Sequence, residues 1–189
     1  MGLIRIDVLT EKECAEVLSV VHDLISYKSR TRLGAASYKS LPMVGKQINK
    51  YLYHRRAMKL NPIFRERLGW LYDRVAKTLA HALGAPTRYP DDLALPGFHV
   101  NQKPIREKTG RFPLGARPHF DLQWQKIDWG DPSKVDFKLP LSFTLAVALP
   151  AKGGGLKTWD IRYDEYMKLD TDGRAKLRAA RERSSTLTR

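Results

Sequence analysis

The sequence predicts an α+β chain, with helices first and an antiparallel β core after them. Three observations carry this. Two segments, in residues 11–27 and 62–83, repeat apolar residues at helical spacing. From Leu95 the period changes to that of extended chain. Glycine and proline then crowd the connections between the later segments. Residues 1–189 read as a single domain: 1–94 as a mainly helical support region, 95–160 as a β core, and 161–189 as a basic, helical tail.

The first helix is signalled at its start by Thr10 and Glu13, a capping box in which each side chain satisfies a free backbone donor. Val17, Leu18, Val21, Leu24 and Ile25 follow as one apolar stripe, and the helix is expected to end near Tyr27. Spacing puts Cys14 on the apolar side, in a packing role. Residues 28–60 interleave Lys28, Arg30, Arg32, Lys39, Lys46, Lys50, Arg55, Arg56 and Lys59 with Tyr38, Tyr51, Tyr53 and His54. Aromatics among basic residues can stack bases and pair phosphates; an exposed basic rim with tyrosines packed at its base is the other reading.

A second helix is expected from Pro62, with Asn61 as N-cap and proline at the first helical position. Phe64, Leu68, Leu71, Tyr72, Val75, Leu79 and Leu83 trace its buried face. Gly84 closes it and Pro86 prevents continuation. Phe98 to Gln102 reads as a short strand. Residues 103–118, with breakers Pro104, Gly110, Pro113, Gly115 and Pro118, read as a long loop, either a positive lid or a plain solvated connection. Leu141 to Leu149 is the clearest strand. Leu141, Phe143, Leu145, Val147 and Leu149 alternate with Ser142, Thr144, Ala146 and Ala148. The bulky face belongs in a core; the small face lines a cavity or lies under another layer. Gly153-Gly154-Gly155 reads as a turn, and Leu156 to Trp159 as a further strand. From Asp170 the tail is basic and weakly amphipathic, and Ser184 onward reads as the approach to another strand.

Composition narrows the classes. The hydrophobic fraction of 42% suffices for a core, and no apolar run is long enough to span a membrane. The N-terminal Met-Gly-Leu-Ile-Arg-Ile-Asp runs straight into a capped helix and is read as no signal peptide. One cysteine allows no internal disulfide, which suits a reducing cytoplasm. The net charge of +14 points to nucleic acid or an anionic substrate as partner, or simply to a well-solvated surface.

Chemistry concentrates at His119-Phe120-Asp121. On a strand, side chains at i and i+2 leave the same face, so an imidazole and a carboxylate can occupy neighbouring coordination positions of one metal. A second histidine would complete a facial triad with open positions for co-substrate and oxygen. His22, His54, His81 and His99 have no spacing that suggests zinc. Phe120, Trp124, Trp129 and Trp159 lie nearby in sequence, as pocket walls or as core aromatics.

The order Phe98-His99-Val100-Asn101-Gln102, loop, Arg117-Pro118-His119-Phe120-Asp121, Leu141 to Leu149, Gly154-Gly155-Leu156 resembles the Fe(II)/2-oxoglutarate-dependent dioxygenase superfamily, with its prolyl-hydroxylase-like members, over residues 95–160. The resemblance implies a double-stranded β-helix, a jelly-roll or cupin-like fold, here incomplete. It implies His119 and Asp121 as iron ligands, Asn101 as a polar contact to 2-oxoglutarate, and hydroxylation of an unidentified substrate; the positive 103–118 loop, if a lid, suits a small or carrier-bound substrate that is anionic. It also implies a distal histidine and a basic anchor after the Gly-Gly turn. No histidine follows His119, so the expectation is a chain lacking the family's C-terminal part. A basic nucleic-acid-binding module and a non-catalytic cupin-like scaffold stand as alternatives.

Overall fold

A computed structural model describes residues 4–28, 31–33, 36–40, 50–101, 120–126, 129–131, 133, 135–138, 140–149, 156–158, 161–179 and 183–185. The first helix, α1 (Glu11–Lys28), starts as its capping box dictates. The Glu13 amide donates to Thr10 Oγ1 at 3.3 Å, and the Thr10 amide donates to Glu13 Oε2 at 2.9 Å. Val17 and Val21 are buried on its inner face, with Val20 and Leu24 partly so. Cys14 is half-buried, and this burial raises its thiol above the ordinary range, consistent with packing.

Two short strands follow, β1 (Thr31–Leu33) and β2 (Ala36–Ser40), and then a long helix, α2 (Lys50–Leu83). The expected start at Pro62 is corrected: helix begins at Lys50, with Pro62 inside it. The reason lies in the packing. Tyr53 and Ala57 are buried two turns ahead of Leu60 and Phe64 respectively, so a single apolar face runs through the proline. Asn61 is no N-cap. Its Nδ2 donates to the Leu93 carbonyl at 2.8 Å, and its Oδ1 accepts from the Leu95 amide at 3.0 Å. The helix is interrupted at Leu68 (φ −137°, ψ 20°). It closes at Gly84, whose φ of +63° suits glycine. The Ala85 amide reaches back to the Ala80 carbonyl at 3.2 Å and the Gly84 amide to the His81 carbonyl at 3.4 Å, the Schellman pattern.

Opposite charges link the two helices. Arg67 pairs with Asp23 at 3.0 Å and Arg74 pairs with Glu13, so α1 and α2 run antiparallel. Such partly exposed pairs each contribute about 1 kcal/mol or less. The larger stabilisation comes from the apolar cluster of Val17, Val21, Phe64, Leu68, Leu71, Tyr72, Val75 and Leu95. The strand expected near Phe98 is present as β3 (His99–Asn101); β2 lies between β1 and β3 in an antiparallel sheet, with Tyr38 opposite Asn101.

Two compact units divide the chain. The first comprises residues 7–112 and 121–147 and holds everything described above. The second comprises 1–6, 113–120 and 148–189. In it β4 (Leu156–Thr158) pairs antiparallel with β5 (Arg183–Ser185), and α3 (Tyr163–Lys168) and α4 (Thr171–Ala179) lie between them in sequence. Asp170 caps α4 by accepting from the Gly173 amide at 2.7 Å, and Asp172 pairs with Lys176 at 2.8 Å one turn on. The helix expected from Asp170 is present as α4, whereas α3 precedes it where the sequence reading named no separate helix.

The double-stranded β-helix is overturned. The described residues are predominantly helical, and their strands are only three to five residues long, in one three-stranded and one two-stranded sheet. Leu141 to Leu149 joins no strand. Leu145 and Val147 pack against the core, while Leu141 is 74% and Phe143 46% exposed. Alternation supplies a face but not a ladder: a strand forms only where a neighbour takes its backbone hydrogen bonds. Among the described residues none pairs with this segment.

Candidate functional site

Asp121 follows Phe120 directly and begins a run that turns through a 3-10 helix, Gln123–Lys126. Its carboxylate is exposed, and Oδ2 accepts from the Ser142 hydroxyl at 2.6 Å. That bond spans 21 residues and ties the acidic member of His119-x-Asp121 to the small face of the 141–149 segment. A hydroxyl donor on one carboxylate oxygen orients the group. Ser142 was not singled out as a site residue by sequence. The available signal was the placement of Ser142 and Thr144 on a face otherwise built of alanine.

Around Asp121 the aromatic residues are structural. Trp124 stacks on Phe137 with centroids 5.5 Å apart, and Trp129 meets the same ring edge-on at 6.1 Å. The Trp129 indole N–H donates to the Trp124 carbonyl at 2.9 Å. These contacts fit the reading of aromatics filling a core. In the second unit Phe120 packs against Tyr163 and Tyr166, each at 5.3 Å, and Arg174 lies over the Tyr166 ring.

Asn101 closes β3, with its backbone opposite Tyr38. The stretch that leads into this strand is anchored by α2. Besides the two bonds from Asn61, Tyr53 Oη accepts from the Ala94 amide and Tyr72 Oη donates to the Pro96 carbonyl, both at 2.9 Å. Burial pushes both phenols above their ordinary values, so both stay protonated and neutral. A cleft of about 310 Å³ lies between α2 and this stretch, lined by Met58, Pro62, Arg65, Pro90, Asp91 and Leu95. Asp121 does not line it.

No family model, curated protein or solved structure matches this chain.

The donor types can therefore be weighed only on their own chemistry. A neutral imidazole and a carboxylate suit two positions of a non-haem iron site. Asp121 fits such a role: exposed, and oriented by Ser142. His119, the 103–118 loop, the Gly153–Gly155 turn and Trp159 lie outside the described residues. Among the described residues no group of three or more histidine, cysteine or acidic side chains could hold a metal, and no helix is long and apolar enough to cross a membrane.

Proposed function

We propose that the chain carries the iron-binding segment of an Fe(II)/2-oxoglutarate-dependent oxygenase that hydroxylates an unidentified, small or carrier-bound substrate. The reading rests on the site rather than on a fold, since one chemistry recurs on unrelated scaffolds. The observation that carries it is the His119-Phe120-Asp121 motif, supported by the Ser142 hydroxyl bonded to the Asp121 carboxylate.

In this reading the His119 imidazole and the Asp121 carboxylate hold the metal, and Ser142 holds the carboxylate in one orientation. Asn101, at the end of β3, is the proposed polar contact to 2-oxoglutarate. Bound iron and 2-oxoglutarate would supply the oxygen chemistry; the protein supplies ligands and position. With two protein ligands from this segment and no later histidine, affinity for the metal is expected to be modest.

Anaerobic titration with Fe(II) tests the proposal. Wild type binds, His119→Ala and Asp121→Asn lose binding, and Ser142→Ala weakens it by about tenfold, as loss of a supporting hydrogen bond does. Equal binding by wild type and His119→Ala rejects the assignment.

A further inference from the structure

Charge is segregated along this chain. Between Asp23 and Glu66 there are ten lysines and arginines and no acidic residue, against a net charge of +14 for the whole molecule. The first half of α2 lies in this stretch, and Arg55, Arg56 and Lys59 are all exposed there. Arg55 and Lys59 are four residues apart and Arg56 and Lys59 three, so the three share one face of the helix. Beyond this stretch acids return to α2: Glu66 and Asp73 are interleaved with Arg67, Arg74 and Lys77.

We infer that the Arg55–Arg56–Lys59 face of α2 is a docking surface for the phosphate backbone of a nucleic acid. One helical turn separates Arg55 from Lys59, about 6 Å along the axis. At that spacing two long cationic side chains can reach neighbouring phosphates of one strand. The charge complementarity selects a polyanion, and the packing argues against a lipid surface. A membrane-surface helix must offer its apolar face for insertion. The apolar face of α2, with Tyr53, Ala57 and Phe64, is already buried in the core. This surface is independent of the iron reading and uses none of its residues.

The test is binding of the full chain to a labelled DNA duplex and a labelled single-stranded RNA across a salt series. Wild type should bind with an affinity that falls steeply with salt. The triple variant Arg55→Gln, Arg56→Gln, Lys59→Gln should lose at least tenfold in affinity, and its salt slope should shrink by about two to three, near 0.9 per phosphate contact. A control triple, Lys77→Gln, Arg88→Gln, Lys138→Gln, removes the same charge from other exposed positions and should change little. Lysine at positions 55 and 56 keeps the charge and should keep the binding. Equal losses in the two triples, loss in the lysine variant, salt-independent affinity, or binding to anionic vesicles in place of nucleic acid would each overturn the inference.

Discussion

Glu13 performs two tasks with one carboxylate. It accepts the Thr10 backbone amide and hydroxyl at the start of α1, and it pairs with Arg74 of α2. The Thr10 amide bond, then the Arg74 bond, then the Thr10 hydroxyl hold its carboxyl down at about 2, from a reference of 4.5. A depressed acid contributes stability that is complete above its unfolded value and is lost as pH falls through its folded one. The melting temperature of wild type should therefore decline between pH 4.5 and 2, and Glu13→Gln should be less stable at neutral pH with a flatter decline over that window. Identical acid profiles for the two proteins would remove Glu13 from the account. The capping box was legible in sequence because Thr10 and Glu13 are three residues apart. The Arg74 partner, 61 residues away, was not, because only the packing of α1 on α2 brings them together.

At the scale of elements, α2 decides where the following chain lies. Tyr53, Asn61 and Tyr72 place four polar contacts along its length onto residues 93–96, and these lead into β3 and Asn101. Asn61→Ala would leave the Leu93 carbonyl and the Leu95 amide without their partners. The expected loss is about 1–3 kcal/mol by chemical denaturation, with faster amide exchange at residues 93–96. Unchanged exchange there would mean that Asn61 does not anchor the segment. Asn61-Pro62 looked like a helix start because that pair is favoured there. The preference yielded to tertiary packing, since burying Tyr53 and Ala57 outweighs the proline's missing donor.

Across the larger unit, Phe64 sits at the centre of the core, fully buried and in contact with Tyr72 and Phe98 at centroid distances of 6.3 and 6.4 Å. It joins α2 to the segment that becomes β3. Phe64→Ala should cost about 3–5 kcal/mol, read as a shift in the urea midpoint. A cost under about 1 kcal/mol would place the centre of stability elsewhere. The second unit has its own small arrangement, with Phe120 against α3 and a β4–β5 pair.

By itself the sequence determined what is local: the capping box of α1, the helical face from Phe64 to Leu79, the glycine stop at Gly84, the short strand before Gln102 and the helix of the basic tail. Each depends on residues within a turn or two of one another, where spacing is the physics. Tertiary structure alone decided that α2 runs through Pro62, that Ser142 meets Asp121, and that the alternating segment 141–149 lies outside any strand. A strand needs its partner, and a side chain needs its distant acceptor. Pairing of that kind is a property of two segments at once, so the pattern of either one cannot specify it.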